Sequence, residues 1–177
     1  MKKIKIVALF IVATLFAACG GSTDGDAENS STEEVVNYEG MNKLDLREHG
    51  FEGIIYIPNE EFGQPIIDRT DWGSVRITVG ERFGIELQQE PISYDMRMSE
   101  LMEAQVFETA LIDETPPLLF WKNTIPNSDI EPEFHFFYTY SKDGFNVSIS
   151  SFQSEQYSES AVNKMIISAK SYDHIVD

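Results

Sequence analysis

Apolar residues change period several times between Asn37 and the C-terminus, and each change marks an element. Leu44 and Leu46 alternate with polar neighbours, and His49-Gly50 closes that short strand. Gly53 to Ile57 reads as a second strand, ended by Pro58-Asn59. Val75, Ile77 and Val79 form a third and Phe83, Ile85 and Leu87 a fourth, with Gly80-Glu81-Arg82 as the hairpin loop between them. The acids Glu60, Glu61, Asp68 and Asp71 are expected in a loop ahead of the third strand.

The period then becomes helical. Ser93 or Asp95 caps a helix whose apolar positions Met98, Leu101, Met102 and Val106 repeat at three and four residues. Leu111-Ile112 and Leu118 to Trp121 return to strand, separated by Thr115-Pro116-Pro117. Glu133 to Tyr140 and Phe145 to Phe152 pair through Ser141-Lys142-Asp143-Gly144, where Asp-Gly supplies the positive φ a tight turn needs. Along the first of these, Phe134, Phe136, Tyr138 and Tyr140 share one face; His135, Phe137 and Thr139 share the other. Ser158 caps a last helix, with Val162, Met165, Ile166 and Ala169 along one side, Glu159 at its start and Lys164 and Lys170 later.

Strands joined mostly by short turns predict an antiparallel sheet of about six to eight strands covered by two main helices, an α+β fold. Residues 37–177 are expected to form this single domain.

The first residues carry a different pattern. Lys2, Lys3 and Lys5 precede an apolar run of 13 residues, Ile6 to Ala18, too short for a spanning helix, which needs ~20. Charged start, apolar middle and small residues before a cut are the layout of a secretory signal over residues 1–18. The run ends Leu15-Phe16-Ala17-Ala18-Cys19, and Cys19 is the sole cysteine. This segment resembles a bacterial lipoprotein signal, although the family prefers an aliphatic residue where Phe16 stands. The resemblance implies cleavage before Cys19 and lipid, palmitate included, on that residue. Two or more acyl chains hold firmly where one is marginal, at ~0.8 kcal/mol per buried CH₂. Gly20 in place of Asp implies sorting to the outer membrane. Residues 19–36 then form an acidic tether, whose Asp24, Asp26, Glu28, Glu33 and Glu34 suit either a solvated spacer or a surface-export signal.

Composition sharpens this picture. The 177 residues hold 13 Lys+Arg and 30 Asp+Glu, a formal charge of −17. Loss of residues 1–18 removes three Lys and no acid, so the mature chain is more acidic still. Nucleic acid is a poor partner for such a chain. One Cys excludes an intramolecular disulfide and a Cys-type zinc site.

Candidate chemistry in the globular part is sparse. His49, His135 and His174 have no His or Cys at ligand spacing, and neither a Gly-x-Ser-x-Gly elbow nor a phosphate loop occurs. Asn127, Asp129, Glu131 and Glu133 offer hard oxygens but lack the glycine and closing Glu of an EF-hand. No catalytic residue, metal ligand or cofactor is assigned. Trp72, Trp121 and Phe137 are the candidate binding residues, as an aromatic platform exposed where the sheet is not covered.

Leu44-Asp45-Leu46 with Gly50-Phe51, and Ala169-Lys170-Ser171 at the end of the last helix, give residues 40–172 a resemblance to the PsbP/DcrB type of α/β/α sandwich. A cystatin-like or NTF2-like curved sheet on a helix is the alternative. These families are mostly accessory or binding modules. The expected function is a non-catalytic envelope lipoprotein binding a partner protein or ligand near the outer membrane. The alternative is a carboxylate-based hydrolase acting on an envelope glycan or peptide, whose two acids would face each other at ~5–10 Å.

Overall fold

Alternation buries one side of the hairpin formed by residues 75–89. The strands Leu118–Thr124, Glu133–Lys142 and Phe145–Ser151 instead carry consecutive buried residues and are covered on both faces there. In β4 (Val75–Val79) the residues Val75, Ile77 and Val79 are buried while Arg76 is exposed. In β5 (Phe83–Gln89), Phe83, Ile85 and Leu87 point the same way. The computed structural model describes residues 38–103 and 106–175, all within one compact unit, Val35–Asp177. The signal-like segment, Cys19 and the tether lie outside the described residues.

Before β4 come β1 (Met41–Asp45), β2 (Ile54–Pro58) and β3 (Pro65–Arg69). After β5 come α1 (Tyr94–Glu103), β6 (Glu108–Asp113), β7 (Leu118–Thr124), β8 (Glu133–Lys142), β9 (Phe145–Ser151) and α2 (Glu159–Lys170). The fold is α+β: a seven-stranded sheet in the order β3-β4-β5-β9-β8-β7-β6 and a two-stranded sheet, β1-β2. Every pairing is antiparallel.

Several expectations need correction. Pro65–Arg69 is an edge strand and not a loop; only its Ile67, opposite Ile77, is half-buried, so it shows no period of two. Leu46 does not continue β1. Asp45 accepts the Arg47 N–H at 3.0 Å and caps a 3-10 turn, Leu46–His49, which leaves Leu46 fully buried. Val106 lies beyond α1 and is exposed.

The first face of the large sheet is sealed by α2 and the β1-β2 hairpin. Ser158 Oγ accepts the Ala161 N–H at 3.3 Å, which starts α2 where the sequence places it. Val162, Met165, Ile166 and Ala169 then pack with Ile77, Ile85, Phe136, Val147 and Ile149, and Ile55 and Ile57 of β2 complete the core. Full burial of each such side chain contributes about 1.5–3 kcal/mol. The chain leaving α2 is tied to β2: Ile54 N–H donates to the Asp173 carbonyl at 2.9 Å, and Asp173 N–H returns the bond at 3.0 Å. Gly53, at φ 130, permits this approach, because a Cβ there would sit 2.8 Å from the Asp173 oxygen.

The second face is only partly covered. Leu119, Trp121 and Phe137 form a small buried cluster beneath Tyr94, Met98 and Leu101 of α1, with Ile92 and Leu111 at its margin. The helix itself has no fully buried residue. It covers the β7-β8 side and leaves the side chains that β5 and β9 direct to this face as the floor of a hollow.

Candidate functional site

The register places the polar positions of β5 and β9 side by side. Glu86 opposes Ser150, Gln88 opposes Ser148, and Phe137 opposes Ser150 from the other side. All point away from the α2 core. With Arg76, Arg97, Ile92 and Phe152 they line a hollow of about 340 Å³, within the lower range of small-molecule sites.

Two arginines frame it, each held from below. Arg76 sits across the ladder from Glu86; its Nε and Nη2 both reach Glu86 Oε2 at 3.1 Å. Glu86 is fixed in turn by the Ser74 hydroxyl, which donates to Oε1 at 2.6 Å. The Arg76 guanidinium lies 5.1 Å from the Phe152 ring centroid, and Arg97 lies 5.2 Å from that of Phe137. Arg97 Nη1 pairs with Glu100 at 3.0 Å, one turn along α1, while its buried Nε has no acceptor among the described residues. Gly84 makes room for the wall: a Cβ there would collide with the Phe152 ring and the Tyr157 hydroxyl.

The hydroxyls of Ser148 and Ser150 and the Gln88 amide bond to no other described residue. A second hollow, about 450 Å³, shares Ile92 with the first and is lined by Tyr94, Thr139, Ser141 and Asn146. Glu90 on its rim holds a positive φ of 51°, a conformation uncommon for a side chain of this kind.

Of the three aromatic residues expected to form a platform, two do meet. Trp121 and Phe137 are in one cluster, but α1 closes over them and leaves 0% and 1% exposed, so they are not an open surface. Trp72 is elsewhere. It occupies the tight turn between β3 and β4, 84% exposed, where Thr70 and Ser74 close the turn beneath it. Cys19 lies outside the described residues.

His135 is the one histidine of the three that the sheet buries almost completely. It is buried on the second face, with Nδ1 3.2 Å from Ser151 Oγ and Nε2 3.6 Å from Glu133 Oε1. Serine, histidine and carboxylate in that order resemble a nucleophilic triad. Here Ser151, at the edge of the hollow, is 1% exposed and its hydroxyl accepts the Phe136 N–H at 3.3 Å, so the oxygen is engaged in holding the sheet. Asn123 donates to Glu133 at 3.3 Å and Thr109 donates to Asn123 at 2.9 Å. The five side chains form a polar ladder across β6, β7, β8 and β9, a cross-tie within the sheet. Burial holds the His135 pKa below its ordinary value, with the Glu133 charge partly opposing.

The remaining candidate chemistry stays dispersed. His174 stacks on Phe145 with ring centroids 3.8 Å apart. Among the described residues no three His, Cys, Asp or Glu gather in a metal-binding group, and no helix is long and apolar enough to cross a membrane. The carboxyls with a clear shift, Asp45 and Asp173, are both held low by ion-paired hydrogen bonds, to Arg47 and Lys142. No family model, curated protein or solved structure matches the chain.

Of the residues lining the hollow, sequence reasoning named only Phe137 and missed the polar ones. Their signal was present in Glu86, Gln88, Ser148 and Ser150, polar positions alternating with the most apolar ones in the chain. What was missing was that β5 and β9, far apart in sequence, are neighbours.

Proposed function

We propose that this protein is a lipid-anchored module of the cell envelope that binds a ligand or partner near the outer membrane through the second face of its sheet. The anchoring rests on the pattern Leu15-Phe16-Ala17-Ala18-Cys19 and on the charged, apolar and small segments in their expected order. Binding rests on one observation: hydroxyls, an amide and two guanidiniums converge on an open hollow with hydrogen-bonding capacity left over. The acidic stretch after Cys19 acts as a spacer that holds the domain off an anionic lipid surface.

Replacement of Cys19 by Ser tests the anchor. The variant is expected to leave the membrane fraction or to remain uncut. Membrane association with cleavage at the same position would refute the lipoprotein reading. Turnover of an envelope glycan or peptide by the purified protein would favour a carboxylate hydrolase over a binding module.

A further inference from the structure

The hollow on the second face has a chemical preference. Ten basic residues remain once the signal segment is set aside, and two of them line this one hollow. Arg76 and Arg97 each keep N–H donors beyond those given to Glu86 and Glu100, since a guanidinium carries five. Both guanidiniums lie over phenylalanine rings, a contact that restrains the side chains and lowers the ordering cost of gripping a ligand.

We propose that this hollow binds a small molecule bearing one carboxylate, taken by the Arg76 and Arg97 pair, with neighbouring hydroxyl or amide groups met by Ser148, Ser150 and Gln88. The inference rests on the reading of this face as the binding face. Glu86 and Glu100 already offset part of the arginine charge, so the site suits a single negative charge. A doubly charged phosphate would meet the Glu86 carboxylate within the same hollow. A long polyanion is disfavoured further by the surplus of acids on the domain. The volume of about 340 Å³ admits a group of about one sugar ring or two small amino-acid residues. Two sources share this chemistry: a sugar acid and the free C-terminus of a peptide.

The test is calorimetric titration of the full lipidated protein, purified from membranes in detergent, with D-glucuronate and with N-acetyl-alanyl-alanine. D-glucose and N-acetyl-alanyl-alanine amide serve as uncharged partners. At least one acid is expected to bind saturably, and its neutral partner about tenfold more weakly or worse. Preference for glucuronate assigns the sugar source, and preference for the dipeptide the peptide source. The double variant R76Q/R97Q, checked by its thermal melt, is expected to lose at least about tenfold in affinity for the acid. If that variant does not fold, R97K decides, since it keeps the charge and loses the planar fork. Absence of binding by both acids, equal binding of the neutral partners, or an unchanged affinity in the variant would each overturn the proposal. Recovery of the protein from membranes is scored on the same preparation, so a failed titration does not count against the anchor.

Discussion

Phe136 and Phe137 are adjacent in β8 and equally buried, yet they belong to different worlds. Phe136 joins a core that runs without a break from β4 to β7 and is sealed by α2 and a hairpin. Phe137 joins a cluster of three buried residues under a helix that buries none of its own completely. The polar inclusions differ as well. Among the described residues each face holds buried polar atoms without a partner, Ser168 Oγ of α2 on the first and Trp121 Nε1 and Arg97 Nε on the second, but only the second adds the unbonded hydroxyls of Ser148 and Ser150. One face holds the fold together. The other gives up packing and gains accessible polar groups, as binding surfaces commonly do.

Substitutions on the two faces separate these roles. Phe136→Ala is expected to cost about 3–5 kcal/mol in urea unfolding, because α2 and β9 cannot collapse onto the void. Leu101→Ala in α1, half-buried at the margin of the smaller cluster, should cost about 1–2 kcal/mol. A cost equal to that of Phe136→Ala would show that the second face is as structural as the first. Removing the α2 cap by Ser158→Ala should cost about 1 kcal/mol.

Acidity probes the buried ladder across β6 to β9. The folded-state pKa of His135 lies below its unfolded value of 6.5, so the unfolded chain binds the proton more tightly. Its contribution is complete above about pH 6.5 and is lost as pH falls from there toward the folded pKa. His135→Gln should flatten this part of the stability profile measured by urea titration at several pH values; an unchanged slope would exclude His135 as its source. The smallest effect is expected for Gln88→Ala on the hollow floor, within about 0.5 kcal/mol of the parent.

The first face was legible because its signal is local. Phe83, Ile85 and Leu87 alternate within seven residues, Asp143-Gly144 forms its turn with φ of 53° and 84°, and Ser158 caps its helix where expected. Pro65–Arg69 was not legible, since an edge strand that buries almost nothing writes no alternation. The polar lining of the hollow escaped for a further reason. Gln88 lies beside Ser148 only through the β5-β9 pairing, and Arg97 reaches Phe137 only through the docking of α1. Aromatic type alone likewise cannot separate Trp121, fully covered, from Trp72, almost bare.

The β5-β9 pairing has a kinetic consequence. Every other pairing in the large sheet joins strands that are consecutive in the chain, whereas here Ile85 must find Ser151. Closing so long a loop is entropically slow, and it brings the two halves of the sheet together. A chain that emerges N-terminus first can form the β3-β4-β5 meander early but leaves β5 as an open edge until β9 arrives. During that interval β5 is the segment at which a helper protein, or an unwanted second chain, would most readily pair.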